Sequence, residues 1–120
     1  MVKLISSPSR IETLGTRLAV FDEYIGVVNT GDTGVSIMHV RSPAGWQGTG
    51  QWPAFDQYSV VFKGTLRAEH EGGSTDAVAG QAIHSVPGEW VRYSTPLEGG
   101  AEFIAVCTPA YTRANAHHDE

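Results

Sequence analysis

Residues 80–91 of the sequence read GQAIHSVPGEWV. Gly80 and Gly88 occupy positions where a chain turns easily, because glycine adopts backbone conformations that other residues avoid. Between them, Ala82–Val86 is a short run with Ile and Val, which is typical of a strand. A second run of this kind, Trp90–Ser94, follows the second glycine. This segment therefore predicts two short strands joined by a tight turn.

Glycines and prolines divide the rest of the chain in the same way. Fourteen glycines and six prolines separate runs of five to eight residues rich in Val, Ile, Phe and Tyr. No stretch has the three-to-four-residue spacing of apolar side chains that indicates an amphipathic helix. The other predicted strands are Arg17–Phe21, Glu23–Val28, Val35–Arg41, Gln57–Lys63, Thr65–His70, Thr75–Val78 and Ala101–Cys107.

Nine short strands in 120 residues indicate an all-β fold. An open sheet of that size would leave long edges and an apolar face uncovered, so a jelly-roll β-barrel is expected. Lys63-Gly64 and Glu71-Gly72-Gly73 are short enough to be hairpin connections. We predict a single domain over residues 1–112 and a loose polar tail over residues 113–120.

Charge and composition limit which partners the protein can bind and in which compartment it is expected. The formal net charge is −5, with only eight Lys and Arg, which argues against nucleic acid as a partner. No apolar run approaches the ~20 residues that cross a bilayer, and the N-terminus lacks the apolar segment of a signal peptide. A single cysteine, Cys107, suits a reducing compartment. We therefore expect a cytoplasmic protein without a membrane partner.

The spacing of these glycines resembles the cupin superfamily, whose motifs can be written G-x5-H-x-H-x3,4-E-x6-G and G-x5-P-x-G-x2-H-x3-N. Residues 80–91 match the second motif, with Gly80 and Gly88 in place and Pro87 one position late. The first motif ends at Gly64 after QYSVVFK, and the strand EFIAVCTP also resembles the family. The resemblance covers residues 45–109 and implies a cupin-type barrel.

The metal ligands of the family have no good counterparts in this sequence. The motif positions of two histidines, a glutamate and a third histidine hold Gln51, Pro53, Gln57 and Val91. Divalent first-row metals in such sites need imidazole or carboxylate ligands, and neutral amides are weak substitutes. We therefore expect no metal and no other cofactor. The superfamily also contains metal-free isomerases, epimerases and plain ligand-binding domains.

Strand alternation predicts which side chains line the barrel interior. If Gln57 points inward, Ser59 and Val61 do so too, because side chains two apart share a face. If Val91 points inward, so does Tyr93. The candidate ligand-binding residues are then Gln51, Gln57, Ser59 and Tyr93 amid apolar neighbours. Alternatively, the glutamines bond to each other or to a trapped water.

Two histidines are candidates for proton transfer or binding. His39 shares a strand face with Val35 and Ile37, and on the inner face it would be a general acid or base. Its alternative is a structural histidine bonded to backbone or to a dimer partner. His84 is a weaker candidate for the same pocket. The two together would form an unorthodox metal site, which is the least favoured hypothesis.

Two tryptophans and the cysteine each allow two interpretations. Trp46 and Trp52 flank a glycine-rich loop and act either as a lid on the pocket or as interface anchors. Cys107 lies in an apolar strand without adjacent basic residues, which indicates an inert core thiol rather than a nucleophile.

The sequence thus supports two functional hypotheses of different classes. The first is a metal-independent isomerase, cyclase or lyase of a polar organic substrate, with His39 moving the proton. The second is a binding or sensing module for a small molecule, without catalysis. A cupin metalloenzyme with unusual ligands is a minor third. A homodimer is expected, because exposed edges and an outer apolar face are commonly covered by a second subunit.

Overall fold

The computed structural model describes residues 1–12, 15–16 and 18–118. In these ranges the chain is almost entirely β, with one short helix near the C-terminal end. No helix among the described residues is long and apolar enough to cross a membrane. The elements are β1 (Ser9–Ile11), β2 (Val20–Ile25), β3 (Ser36–Ser42), β4 (Trp46–Gln47), β5 (Asp56–His70), β6 (Gly73–Val78), β7 (Ala82–Ser85), β8 (Val91–Thr95), β9 (Ala101–Thr108) and α1 (Arg113–Ala116).

The strands form two antiparallel layers that close into a jelly-roll barrel. One layer runs in the order β1, β2, β3, β9, β5 and β7, and the other consists of β6, β5, β8 and β4. The expected all-β jelly-roll barrel is therefore confirmed.

The long strand β5 belongs to both layers. Its first part pairs with β7 and β9, and its second part pairs with β6 and β8. The bend lies near Gly64, which has a φ of +72° and lies so close to the Gly100 carbonyl that a Cβ would overlap it. The predicted hairpin at Lys63-Gly64 is therefore wrong, because the glycine bends a continuing strand. The hairpin after His70 is confirmed by the pairing of His70 with Gly73.

The core lies between the two layers and follows strand alternation. On β9, Ala101, Phe103, Ala105 and Cys107 are buried, while the residues between them are partly exposed. On β5, Ser59 and Val61 are buried before the bend and Leu66 and Ala68 after it, so the alternation shifts by one position near Gly64. The central strands therefore present one continuous inner face to the space between the layers.

The N-terminal strands differ from the sequence expectation. The predicted runs Arg17–Phe21 and Glu23–Val28 correspond to one strand, β2, although Arg17 itself lies outside the described residues. Two short strands, β1 and β4, were not expected. Each is only two or three residues long, and pairing with β2 or β8 rather than its own composition determines its conformation.

The C-terminal segment is folded, contrary to the expectation of a loose tail. Thr112 caps α1 by accepting a hydrogen bond from the Asn115 backbone, and the Asn115 side chain bonds back to the Thr112 backbone. Beyond the helix, the His117 carbonyl accepts a hydrogen bond from the Trp52 amide. These contacts place the end of the described chain against the barrel.

Candidate functional site

Between its two layers the barrel has a cavity of about 90 Å³ that is partly open to solvent. Its wall is mostly apolar, with a small number of polar side chains among the aromatic and aliphatic ones. A small-molecule site commonly has this composition. The lining includes Trp46, Thr49, Gln51, Gln57, Tyr93 and His118, together with Ile11, Glu12, Ala105, Cys107 and Tyr111.

Gln51 and Gln57 both line this cavity, as expected from the sequence. Gln51 is 9% exposed, and its backbone pairs with Val91 through two hydrogen bonds of 3.0 Å. Its side-chain amide makes no hydrogen bond to the described residues. Since buried amides are normally satisfied, this amide can accept or donate to a bound molecule or water.

Gln57 is held from two sides. Its Nε2 donates to Ser59 Oγ at 3.1 Å, and the Cys107 thiol lies 3.8 Å from its Oε1. Ser59 is fully buried, but it supports Gln57 and does not itself line the cavity. The described structure contains no hydrogen bond between Gln51 and Gln57, so the two amides do not satisfy each other.

Tyr93 lines the cavity from β8, and its hydroxyl is 2.6 Å from Ser85 Oγ. Burial raises the pKa of Tyr93 to about 12, although the hydrogen bond with Ser85 opposes the shift. The phenol is therefore neutral across the physiological range. It can donate a hydrogen bond but does not serve as a base.

His118 reaches the cavity from the C-terminal segment. Its Nδ1 lies 2.7 Å from Thr49 Oγ1, and its backbone forms a bridge with Gln51. The sequence predicts His118 in a loose tail, so this contact was not expected. No local sequence pattern predicts this contact, because Thr49 and His118 are 69 residues apart in sequence and come together only in the folded chain.

His39 lies on the outer face of β3 and does not line the cavity. Ser36, Met38 and Val40 point inward, whereas His39 is partly exposed. Its Nε2 is 2.6 Å from Glu102 Oε2 on the neighbouring strand. The expectation that His39 faces the pocket is therefore wrong, because the inward side chains of β3 are those of its immediate neighbours, Met38 and Val40.

His84 is also outside the cavity. It lies on β7 with an exposed side chain, stacks on Tyr58 at 4.3 Å between ring centroids, and its Nε2 is 2.9 Å from Asp56 Oδ1. His39 and His84 thus have different carboxylate partners, so the structure does not bring them together as a metal site.

The two tryptophans have different environments. Trp46 is 4% exposed, lines the cavity and contacts Phe21 at 6.1 Å between ring centroids. Trp52 is 46% exposed and does not line the cavity. Trp46 is therefore part of the barrel wall, and Trp52 lies on the surface beside the C-terminal segment.

The residues at the usual ligand positions do not fit a metal ion. Gln51 and Gln57 offer only neutral amides, and Pro53 and Val91 offer no donor side chain. In the part of the chain that the structure describes, no three His, Cys, Asp or Glu side chains lie close enough to share a metal. The chemistry of these side chains therefore does not match the metal site that the resemblance to cupins implies.

Cys107 is a buried thiol at the cavity wall. Burial raises its pKa to about 12, with a hydrogen bond from Ser36 acting in the opposite direction. Because the thiolate is the nucleophilic form, this environment supports an inert role for the side chain.

Solved structures share this barrel. The putative ethanolamine utilization protein Q from Salmonella typhimurium LT2 has a TM-score of 0.70 and 18% identity, covering 87% of this chain and 80% of that one. The Streptomyces protein PAC13, in a variant solved with uridine, has a TM-score of 0.73 and 16% identity, covering 98% and 88%. Oxalate decarboxylase from Bacillus subtilis has a TM-score of 0.76 and 17% identity, covering 95% and 30%.

These neighbours are cupin-fold proteins, and the chain has the cupin fold. No family model matches the sequence. Among curated proteins, endoribonuclease YbeY from Myxococcus xanthus is 29% identical over 96 residues, which cover 80% of this chain. The match covers 33% of that protein, so the chain spans about a third of its curated relative. A match of this extent does not assign ribonuclease activity to the chain.

Proposed function

We propose that the protein binds a small organic molecule in the barrel cavity, with Gln51 and Gln57 as its polar contacts. The observation that carries this proposal is the Gln51 side chain, which is nearly buried, lines the cavity and makes no hydrogen bond to the described residues. A nearly buried amide without a hydrogen-bond partner in the protein is normally satisfied by a bound molecule or by water. The apolar remainder of the wall supplies contact area for a ligand body.

Native mass spectrometry of the purified protein tests the proposal. We expect a co-purifying small molecule that dissociates on unfolding. In Gln51→Leu, which is close in size and cannot form hydrogen bonds, occupancy should fall by a factor of roughly 5 to 150, the equivalent of the ~1–3 kcal/mol cost of an unpaired buried polar group.

Gln81→Leu is the matched control, because Gln81 is exposed and does not line the cavity. Its occupancy should equal that of the wild type. A ligand that binds both variants equally well would contradict the assignment of Gln51.

We further propose that this binding is independent of a metal, because the donor set at the usual positions is Gln, Pro, Gln and Val. Elemental analysis after dialysis should find less than about a tenth of an equivalent of Fe, Mn, Ni, Zn or Cu, since such donors bind these ions weakly. A near-stoichiometric metal would overturn this part of the proposal.

Proton transfer on the bound molecule is a second candidate function. It is favoured by the 2.7 Å contact of Thr49 Oγ1 with His118 Nδ1, which orients an imidazole at the cavity wall. Histidine is a common general acid or base in enzymes. In this proposal His118, rather than His39, has the role of an isomerase or lyase base.

Solvent deuterium incorporation distinguishes catalysis from binding alone. The co-purified molecule, incubated with protein in D₂O, should gain carbon-bound deuterium with the wild type but not with His118→Gln. If the wild-type protein catalyses no exchange, the proton-transfer function is excluded for that molecule and the binding function remains.

A further inference from the structure

A second depression adjoins the cavity on the protein surface. This groove has a volume of about 250 Å³ and is partly open to solvent. Ile11, Glu12 and Tyr111 line both the groove and the cavity. These three side chains therefore form the boundary between an inner space and an outer one.

The groove has a fixed wall. Val27 and Val28 line it from the loop after β2 and are 41% and 64% exposed. The buried Glu23 holds this loop, because its Oε2 accepts hydrogen bonds of 3.2 Å from the amides of Val28 and Asn29. The outer space thus has an apolar wall, formed by Val27 and Val28, that these hydrogen bonds keep in position, and Glu12, Thr112 and Arg113 also line it.

Tyr111 is the largest of the three residues that line both spaces. The contacts that hold its ring do not involve its hydroxyl group. Its backbone amide donates to Ser36 Oγ at 2.9 Å, and its ring meets Phe55 edge-on at 6.0 Å between centroids. Its hydroxyl makes no hydrogen bond to any residue in the described ranges. Removing the hydroxyl alone should leave the ring in place, whereas removing the ring should join the two spaces.

We infer that Tyr111 determines the specificity of the cavity by limiting the length of the molecule that binds there. This inference rests on the proposed binding function. The molecule it implies is short, with a polar end at Gln51 and Gln57 and an apolar end that stops at the Tyr111 ring. Longer molecules of the same kind are excluded, although the groove beyond the ring has the space and the apolar surface to hold them.

A series of unbranched carboxamides from propanamide to decanamide tests this inference by calorimetric titration. Their amide group can pair with the glutamines, and each buried methylene should tighten binding by about fourfold. In the wild type the increase should stop at the chain length that reaches Tyr111. In Tyr111→Ala it should continue for at least two more methylenes, so that the longest carboxamides bind about tenfold tighter or better. Tyr111→Phe should keep the wild-type limit.

Ile11→Ala provides a second variant if Tyr111→Ala does not fold, since Ile11 lines the same boundary. This variant should extend the limiting length of the carboxamide chain by about one methylene, because the alanine side chain is shorter than that of isoleucine. An identical length limit in the wild type and in the folded boundary variants would overturn the inference. Failure of the wild type to bind any carboxamide would instead contradict the proposed function, so the two failures are distinguishable.

Discussion

Thr49 Oγ1 lies 2.7 Å from His118 Nδ1, and this contact fastens the C-terminal segment to the loop that leads into β5. Two backbone hydrogen bonds run beside it. The Trp52 amide donates to the His117 carbonyl at 3.0 Å, and the Ala54 amide donates to the Asn115 carbonyl at 2.8 Å. The position of His118 at the cavity therefore depends on the C-terminal segment, which is short but is attached to the barrel at several points.

Replacing Thr49 with Val should loosen this segment while preserving the shape of the side chain. We expect the Trp52 and Ala54 amides to exchange with solvent about fivefold faster, the equivalent of a hydrogen bond worth ~1 kcal/mol. Amides of the β3–β9 ladder serve as the internal control and should not change. Hydrogen exchange measured by NMR gives both values, and unaltered exchange at Trp52 and Ala54 would show that the contact does not hold the segment.

The Gln57–Ser59 pair predicts a stability coupling. Gln57→Leu should lower the free energy of unfolding by about 1–2 kcal/mol, because it leaves the buried Ser59 hydroxyl without the amide that donates to it. The double variant Gln57→Leu with Ser59→Ala should recover most of that loss, since both polar groups are then removed. Urea unfolding measures both. Additive losses in the double variant would contradict the coupling.

Asp22 makes stability depend on acid pH. A hydrogen bond from Arg10 lowers the pKa of Asp22 against the opposing effect of burial, and the charges of Arg10 and Arg41 lower it further. The contacts are 3.0 Å to Arg10 Nε and 3.0 Å to Arg41 Nη2. A carboxylate with a lowered pKa stabilises the fold above its unfolded pKa and loses that effect as the pH falls through the folded one.

Asp22→Asn should therefore be less stable than the wild type at pH 7. The difference should shrink as the pH falls below about 4, where the unfolded state takes up a proton first, and should disappear below the lowered pKa of Asp22 in the folded state. Asp76→Asn is a suitable control, because Asp76 pairs with Arg67 on a more exposed surface and should cost less. Thermal melts from about pH 7 to about pH 2 test this, and a pH-independent difference would rule out the ionic explanation.

A homodimer remains our prediction, and the outer face of β5 supports it. Tyr58, Val60 and Phe62 alternate along this face and are 40%, 41% and 53% exposed. Contiguous apolar surface of this kind often marks an interface. Light scattering should give about twice the chain mass of 12.9 kDa.

The variant Phe62→Glu should convert the dimer to a monomer, because a charge on the patch would have to be desolvated in the interface. Leu97→Glu is the control: Leu97 is also exposed, at 46%, but it lies in the connection between β8 and β9. A wild-type monomer at micromolar concentration would refute the prediction.

Strand alternation predicted the inner face of β5 correctly and that of β3 incorrectly, for a physical reason. On β5 the motif spacing fixed Gln57, and the inward positions of Ser59 and Val61 followed from the period of two. On β3 nothing fixed the phase, and Ile37 on the outside resembles a core residue while the buried Ser36 does not. A sheet with apolar residues on both faces gives no sequence signal for which face is inner.

The remaining differences between the predicted and the observed structure arise from contacts between distant parts of the chain. Lys63-Gly64 has the composition of a turn, and the same composition allows a strand to bend from one layer to the other. His118 resembles a residue of a polar tail until the fold brings Thr49 beside it. Tyr111 follows a predicted strand and has no motif that marks it as the boundary of a cavity.

The sharing of β5 between both layers also affects how the chain folds. Neither layer can be complete without this strand, so separation of the barrel into two independently stable halves is not expected, and unfolding should be a single cooperative transition. Its pairings with β8 and β9 join residues that are 21 (His70 with Val91) to 52 (Asp56 with Thr108) positions apart in sequence. Folding dominated by such non-local pairings is slow, on the order of milliseconds to seconds, because loop closure must precede the contacts that stabilise it.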